Sequence, residues 1–440
     1  IGARDKTIAK MAAVNGYVGI VVNTRGKGLS PQEIEPFEKD AADAYEIIDW
    51  ISKQAWCNGK VGMYGGSYLG FSQWAATKNL HPALKTIVPQ VSVGIGIDYP
   101  MQNNVFMSYM LRWIHFVSNS KQTDNADFEN EEHWNHTFAN WYKTGKAFKN
   151  LDSIEGRQSP IFQRWLKHPA HDSYWQNMVP YKTDFSRINI PILTTTGYYD
   201  DDQLGAMYYY KEHLTYNPAA NHTLLIGPYD HPGGQGYPVS ELNGYKIDPV
   251  ANINIRELTF KWFDYILKDS IRPAILKDKV NYQVMGTNTW KHTPALHNIC
   301  NDTLRFYFSN VHSGNHFKLL TKKPAEKEFI RQEVNYLDRS DTTDTADDEK
   351  IIAKEVEKGE YISFISEPLD TTISINGTFT GELKSIINKK DMDVSIILYE
   401  QLPDGRYFYL SDFLGRASYA KDRSKRQLLT PGKLETIPYT

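Results

Sequence analysis

The stretch that most constrains the fold is a glycine-rich turn with a serine, placed between a strand and a helix. The pattern predicts a strand over residues 60–64 and a helix over residues 68–77. Ser67 lies at the turn between them, which is the geometry of a nucleophile elbow. Leu69 stands where Gly-x-Ser-x-Gly would have its second glycine, so the pattern is Gly-x-Ser-Tyr-x-Gly. Taken alone, the stretch also fits a glycine-rich turn with an incidental serine.

Alternating strands and helices surround this turn. An apolar run over residues 17–22 predicts a strand buried on both faces of a parallel sheet. Further strands are predicted over residues 84–93, 190–197 and 222–227, and helices over residues 37–54, 204–214 and 254–267. This alternation is typical of a doubly wound, mostly parallel α/β sheet.

A chain of 440 residues is too long for one ordinary core. Residues 99–181 are dense in Trp, Met, Phe and His at partly helical spacing, which predicts a helical cap inserted into the α/β domain of residues 1–98 and 182–270. Residues 271–440 show short alternating runs separated by turns, which predict an all-β sandwich of jelly-roll type. Six runs are predicted as its strands: 280–284, 304–308, 362–365, 371–379, 392–399 and 407–410.

Composition excludes several classes of protein. A formal net charge of -3 does not suggest nucleic acid or an anionic membrane as a partner, and no apolar run approaches the roughly 20 residues that span a bilayer. Two cysteines, Cys57 and Cys300, exclude a disulfide framework and a cysteine-based zinc site. The acidic run over residues 338–349 matches no calcium-loop spacing and predicts a solvated loop.

Three chemically matched side chains each follow a predicted strand. Ser67, Asp200 and His231 come in the chain order of an α/β-hydrolase triad. Serine needs a base to become a good nucleophile, histidine titrates near neutrality, and a carboxylate fixes the imidazole tautomer. We therefore predict nucleophile, base and acid roles for these residues.

Each candidate has alternatives. Asp200, Asp201 and Asp202 form a run, of which two are expected on the surface or at a helix N-cap; Asp200 is preferred because it lies closest to the strand end. His222 starts its strand and so falls at the wrong end of the sheet for a base. A metal site among the insertion's histidines is disfavoured because there is no His-Glu-x-x-His pattern and Pro169 interrupts the pair His168 and His171. No metal and no cofactor is therefore expected.

These motifs together resemble the serine hydrolase family of cocaine esterase, α-amino acid ester hydrolase and glutaryl-cephalosporin acylase, to which the X-prolyl dipeptidyl peptidases are related. The resemblance covers roughly residues 8–270. It rests on Arg25-Gly26, Asp43-Ala44-Tyr45, Gly59 to Gly70, His168-Pro169 with Asp172 and Trp175, Gly197 to Asp200, and Gly227 to His231. It implies an α/β-hydrolase with a helical cap and a jelly roll, which cleaves esters or amides through an acyl-enzyme on Ser67.

The resemblance also implies roles for further residues. The backbone N–H of Tyr68 would be one oxyanion donor, and a tyrosine hydroxyl before the first matched strand would be the second. Because the first tyrosine here is Tyr17, within that strand, we expect this second donor upstream of Ile1. Asp172, Tyr199 and Trp175 are the candidate substrate-binding residues.

Three functions stay open from the sequence. The first is a serine esterase or acylase that acts on a small-molecule ester or amide, the second an X-prolyl exopeptidase, and the third a non-catalytic binding protein on a hydrolase scaffold. No nucleic acid or membrane partner is expected, and self-association is left open. The compartment is also open, because the chain starts at Ile1 without a signal-peptide pattern and a targeting segment before it would be invisible.

Overall fold

A computed structural model describes residues 3–325, 329–340, 350–356 and 361–440. Its centre is a six-stranded sheet whose strands lie side by side in the order β1 (Val61–Ser67), β2 (Leu84–Ser92), β5 (Ile192–Tyr199), β6 (His222–Asp230), β9 (Val280–Val284) and β10 (Thr289–Thr293). The first five strands in this order run parallel to their neighbours, and β10 pairs antiparallel with β9.

Helices cover both faces of this sheet, as the alternating pattern predicts. They are α1 (Ala3–Val14), α2 (Asp40–Ser52), α3 (Tyr68–Lys78), α10 (Gln203–Tyr216) and α11 (Ile255–Leu267). On one face, Trp74 of α3 stacks on Tyr209 of α10 with ring centroids 4.8 Å apart, and both are fully buried. On the other face, Phe260 and Phe263 of α11 pack against Tyr64 of β1. Burial of these large side chains on both faces holds the sheet between its two layers of helices.

The predicted strand over residues 17–22 is wrong. Residues 18–24 form no strand; Tyr17 and Val21 are partly buried, while Val18, Ile20 and Val22 are exposed. Gly19 packs so closely on α1 that a Cβ would lie 2.4 Å from the backbone oxygen of Ala9. The segment thus packs on a helix, and its apolar sequence does not reveal that it has no neighbouring strand here.

The run over residues 280–284 was predicted as part of the β-sandwich, but it is β9 of the central sheet. Its alternating polar residues suggested a solvent-facing side, yet all five residues are buried. Asn281 Nδ2 donates to the backbone oxygen of Leu224, and Gln283 Nε2 donates to Asp248 Oδ2. The two polar side chains are tolerated in a buried strand because these hydrogen bonds satisfy their amide N–H groups, while Gln283 Oε1 has no partner among the described residues.

The insertion between β2 and β5 is mostly helical. It contains α4 (Tyr109–Ser118), α5 (Asn125–Phe128), α6 (Glu131–Thr144), α7 (Leu151–Glu155), α8 (Pro160–Trp165), α9 (Ser173–Gln176) and a small hairpin of β3 (Met101–Gln102) and β4 (Val105–Phe106). Its core is aromatic, with Trp134, Phe162, Trp165 and Trp175 fully buried.

A second hairpin follows β6, made of β7 (Glu241–Leu242) and β8 (Tyr245–Lys246). The part of the chain after β10 forms three small sheets, in the orders β11-β12-β14, β13-β17-β16 and β15-β18. Their strands are β11 (Tyr307–Ser313), β12 (His316–Leu320), β13 (Ile352–Ala353), β14 (Phe364–Ile365), β15 (Gly381–Ile386), β16 (Asp393–Gln401), β17 (Tyr407–Arg416) and β18 (Leu434–Tyr439). This is the β domain expected from the alternating runs. The predicted strand over residues 371–379 does not form, because most of these residues are exposed and lack a strand partner.

The β domain is tied to the insertion through backbone groups. Asn104 Nδ2 donates to the backbone oxygens of Pro169 and Arg423, and the N–H of His171 also donates to Arg423. Within the described ranges, no helix combines the length and apolar character that crossing a bilayer requires. Most of the predicted acidic loop, at residues 341–349, lies outside the described residues.

Candidate active site

Ser67 occupies a strained backbone position at the end of β1. Its φ is 62° and its ψ is -125°, a conformation that costs a non-glycine residue energy and persists only when its surroundings enforce it. The helix α3 begins at the next residue, Tyr68. Gly70 is required on that helix because a Cβ there would lie 2.8 Å from the Ser92 side chain of β2. The sequence prediction of a sharp strand-to-helix turn agrees with this geometry.

The neighbouring strand bulges at the same level. Gly66 pairs with Gln90, whereas Ser67 pairs with Ser92, so Val91 is an extra residue in β2. Its φ is 39°, an unusual value for a β-branched residue. Bulges redirect the chain, and this one lies directly beside the serine.

Asp200 follows β5, at the same edge of the sheet, and its side chain is fully buried. Thr196 Oγ1 donates to Asp200 Oδ2 at 2.6 Å, and the backbone N–H of Asp202 donates to Asp200 Oδ1 at 3.1 Å. These donors hold the carboxylate in one orientation.

His231 follows β6 and meets Asp200. Its Nδ1 lies 2.8 Å from Asp200 Oδ1. An ionised carboxylate only accepts, so Nδ1 carries a hydrogen, and Nε2 has a lone pair for a substrate or nucleophile when the ring is neutral. Burial by itself lowers the pKa of His231, but the hydrogen bond to Asp200 and the charges of Asp202, Asp200 and Asp201 outweigh it and raise the pKa to about 9.

The histidine loop packs directly on the serine turn. Gln235 Nε2 donates to the backbone oxygen of His231 at 3.0 Å, and Thr195 Oγ1 donates to the backbone oxygen of Gly234 at 2.9 Å. The Gln235 side chain lies against Gly66, one residue before the serine. In the described part of the chain, no hydrogen bond joins Ser67 Oγ to His231. Catalytic hydrogen bonds are often long before substrate binds, so the absence of this bond is compatible with Ser67 and His231 acting together.

Asp202 was predicted as a surface or N-cap residue; it does occupy the N-cap position of α10, and its carboxylate also faces the histidine. Its Oδ2 lies 3.7 Å from His231 Nδ1, and only 13% of its side chain is exposed. It stands at the N-cap of α10 without making a capping hydrogen bond. The sequence feature that corresponds to this contact is an acidic residue two positions after Asp200, and it did not indicate the contact beforehand.

Tyr68 has a different environment for its backbone and its side chain. The backbone N–H is at the first position of α3, where helix N–H groups have no intrahelical partner. The buried hydroxyl donates to Asp40 at 2.8 Å and accepts from the N–H of Phe37 at 3.3 Å. Burial, which outweighs the hydrogen bond from Tyr68, raises the pKa of Asp40 to about 6.

The three candidate substrate residues have structural contacts. Asp172 accepts from the N–H of Tyr174 at the start of α9 and from His168 Nδ1 at 2.9 Å. Trp175 is fully buried, and its Nε1 donates to the backbone oxygen of His168. The hydroxyl of Tyr199 points towards the β domain, where it donates to the backbone oxygen of Tyr409 at 3.3 Å. Trp175 is thus enclosed in this structure, and these contacts give no direct support to a substrate role for any of the three, which stays a prediction.

Two of the insertion's histidines lie in separate environments. His133 pairs with Glu155 at 3.0 Å, and burial lowers the pKa of His171 to about 4. No group of three or more His, Cys, Asp or Glu side chains suited to a metal occurs among the described residues.

A parallel sheet with a strained serine on one strand end, and a histidine–carboxylate pair on the ends of two others, defines an α/β-hydrolase. Comparison with known proteins agrees. Residues 2–233 match the X-Pro dipeptidyl-peptidase (S15) family, and residues 276–439 match the X-Pro dipeptidyl-peptidase C-terminal non-catalytic domain. The chain therefore belongs to the S15 family of serine hydrolases and has esterase or peptidase activity.

Individual relatives are distant. Cocaine esterase from Rhodococcus sp. (strain MB1 Bresler) is 23% identical over 464 residues, which cover 96% of this chain and 76% of the esterase. Among solved structures, an aminopeptidase from a marine sediment Thaumarchaeota archaeon superposes with a TM-score of 0.76 at 20% identity, over 98% of this chain and 76% of the other. An α-amino acid ester hydrolase gives a TM-score of 0.66 at 20% identity, over 96% and 72%. At this identity the two structures support the fold.

Proposed function

We propose that the protein hydrolyses carboxylic ester or amide bonds of small acyl substrates through an acyl-enzyme on Ser67, with His231 as base and Asp200 as its orienting carboxylate. The observation that carries the proposal is the 2.8 Å pair of His231 Nδ1 and Asp200 Oδ1 on the same sheet edge as the strained Ser67. No cofactor takes part.

The steps follow from these positions. His231 Nε2 takes the Ser67 proton as Oγ attacks the acyl carbon, and it returns the proton to the leaving alcohol or amine. Water then gives a proton to the same base as it attacks the acyl carbon; the bond to Ser67 Oγ breaks, the carboxylic acid leaves, and His231 returns the proton to Oγ. The negative oxygen of each tetrahedral intermediate accepts from the backbone N–H of Tyr68, where the N-terminus of α3 also favours negative charge.

A fluorophosphonate probe tests the nucleophile. We expect the probe to label Ser67, identified by peptide mass spectrometry, and Ser67→Ala to lower ester hydrolysis by at least about 10³-fold. Ser72→Ala is a matched control, because Ser72 lies one turn further along α3 and its hydroxyl donates to Leu69. Retained turnover in Ser67→Ala would exclude the proposal, and no labelling would favour the non-catalytic binding protein.

The family match supports X-prolyl exopeptidase activity as a second candidate. A panel of Xaa-Pro-nitroanilides, amino-acid esters and simple acyl esters distinguishes it. Preference for the nitroanilides by kcat/KM would establish the exopeptidase, whereas preference for an ester would establish the first candidate.

A further inference from the structure

At the N-terminus of α10, one aspartate occupies the N-cap position and a different aspartate accepts the capping hydrogen bond. Asp202 occupies the N-cap position, where an aspartate normally accepts a hydrogen bond from one of the first backbone N–H groups. Its side chain makes no such bond. The bond is made by Asp98, from the loop after β2, whose Oδ2 accepts from the N–H of Gly205 at 2.5 Å.

Two glycines make this exchange possible. A Cβ on Gly205 would lie 2.4 Å from Asp98 Oδ2 and 2.2 Å from the backbone nitrogen of Gly94. Gly94 in turn donates its own N–H to Asp98 Oδ1 at 2.8 Å. The loop after β2 and the start of α10 therefore approach each other only because neither glycine has a side chain.

Asp202 is left free to face the imidazole. Its Oδ2 lies 3.7 Å from His231 Nδ1, the same atom that Asp200 binds at 2.8 Å. The backbone of Asp202 also donates to Asp200 Oδ1. The Nδ1 edge of the ring thus faces two carboxylates, and a backbone hydrogen bond joins the two residues that carry them.

We propose that Asp202 is a positioning residue for His231: its carboxylate is the second negative group at the Nδ1 edge, and it stabilises the imidazolium that forms when the ring takes a proton. Asp98 releases Asp202 for this role by capping α10 in its place. The proposal rests on the proposed function, in which His231 is the base.

The charged groups around Asp202 and His231 determine how the protonation of these two side chains depends on pH. Asp202 faces Asp98 from the loop after β2, Asp200 and Asp201 from the loop after β5, and His231. Tyr99 and Tyr109 of the insertion face it as well, and Arg423 of the β domain faces Asp98. Burial, followed by the charge of Asp98, raises the pKa of Asp202, whereas the charge of His231 lowers it. Protonation of the ring therefore favours the ionised carboxylate.

The test compares Asp202→Asn with Asp201→Asn, which removes a charge one residue away. In kcat/KM against pH for a simple acyl ester, we expect Asp202→Asn to shift the acid limb to lower pH by about one unit or more. Asp201→Asn should shift it clearly less, and Asp202→Glu should restore part of the shift. Equal shifts in the two asparagine variants, or no shift in Asp202→Asn, would overturn the proposal.

A second measurement does not depend on turnover. Nuclear magnetic resonance titration of labelled histidine, with His231 assigned through His231→Asn, reads the ring pKa directly in a Ser67→Ala background. We expect the same downward shift on adding Asp202→Asn, and an unchanged pKa would overturn the proposal. If Ser67→Ala retains turnover, the proposed function fails, while this titration still decides whether Asp202 acts on His231. Asp202 makes no capping hydrogen bond, and asparagine has nearly the same shape as aspartate, so Asp202→Asn is expected to fold.

Discussion

Gly66 and Gln235 are in direct contact, so the strand that bears the candidate nucleophile and the loop that bears the candidate base fit together without a gap. A Cβ on Gly66 would lie 2.2 Å from both Cγ and Cδ of Gln235. Gln235 Nε2 in turn donates to the backbone oxygen of His231 at 3.0 Å. The position of the histidine loop therefore depends on the absence of a side chain at residue 66.

Gly66→Ala should lower kcat strongly, because the new methyl group displaces Gln235 and with it the His231 backbone. A misplacement of about 1 Å can cost on the order of 100-fold in rate. Steady-state kinetics on an acyl ester measures the effect. The φ of Gly66 is not in the left-handed region, so alanine introduces no backbone strain there.

The matched control for this prediction is the double variant. Gln235→Ala removes the atoms that the new methyl group would meet, so Gly66→Ala combined with Gln235→Ala should be more active than Gly66→Ala alone. If the double variant is no better than the single one, the contact with Gln235 is not the reason for the loss.

Tyr68→Phe should lower the free energy of unfolding by about 1–3 kcal/mol while kcat stays within a few-fold, because it removes a buried hydrogen bond to Asp40 and keeps the backbone N–H. Urea denaturation and steady-state kinetics measure the two effects. Tyr45→Phe is the control, since Tyr45 is exposed and should change stability by less than about 0.5 kcal/mol. A large loss of kcat in correctly folded Tyr68→Phe would give the hydroxyl itself a part in catalysis.

Trp175→Phe should lower stability by about 1–3 kcal/mol and leave KM nearly unchanged. The indole is fully buried and donates to His168, so the substitution removes a hydrogen bond and leaves a small cavity. Thermal denaturation and KM for an acyl ester are the measurements, with the exposed Trp56→Phe as control. A higher KM with unchanged stability would instead support substrate contact by Trp175.

The protein should lose stability in mild acid through two buried histidines. His213 Nε2 donates to the backbone oxygen of Ile188, so its Nδ1 accepts from His222 Nδ1 at 3.1 Å. His222 Nε2 then accepts from Thr194 Oγ1 at 2.9 Å. Both rings are neutral in this chain of hydrogen bonds, and burial lowers the pKa of each below its ordinary value of 6.5.

The sign follows from linkage. In mild acid the two histidines bind protons more readily in the unfolded than in the folded protein. Their contribution to the free energy of unfolding is therefore complete above pH 6.5 and is lost as pH falls below that value. The loss should reach about 1.4 kcal/mol per pH unit for each histidine. Urea denaturation between pH 7.5 and 5 should show a weaker pH dependence in His213→Gln than in the exposed control His297→Gln. Equal dependence in the two variants would contradict the assignment.

Much of the site was predictable because it depends on local chain geometry and on topology. Ser67, Asp200 and His231 were each predicted from their position just after a strand, and parallel strands bring their carboxyl ends to one edge. In the structure, His231 and Asp200 form a hydrogen-bonded pair at that edge. His222 was set aside by the same reasoning, and it does lie at the other end of β6.

The sequence did not predict which strands and side chains would lie next to particular residues in the fold. The apolar run over residues 17–22 has strand composition but no partner strand, and residues 280–284 alternate like a half-exposed strand yet lie buried in the central sheet. Trp175 was predicted to contact substrate because it belongs to a family motif, but packing encloses its side chain completely. In each case the deciding atoms belong to residues far away in the chain.

By itself, therefore, the sequence determined the class of fold, the elbow at Ser67 and the order of the three candidate catalytic residues, because strand periodicity, glycine sterics and the topology of parallel sheets are local or general rules. Only the tertiary structure decided that Asp202 faces His231. That outcome depends on Asp98, more than 100 positions away, accepting the hydrogen bond of Gly205, and a close approach between two loops leaves no periodic trace in a sequence.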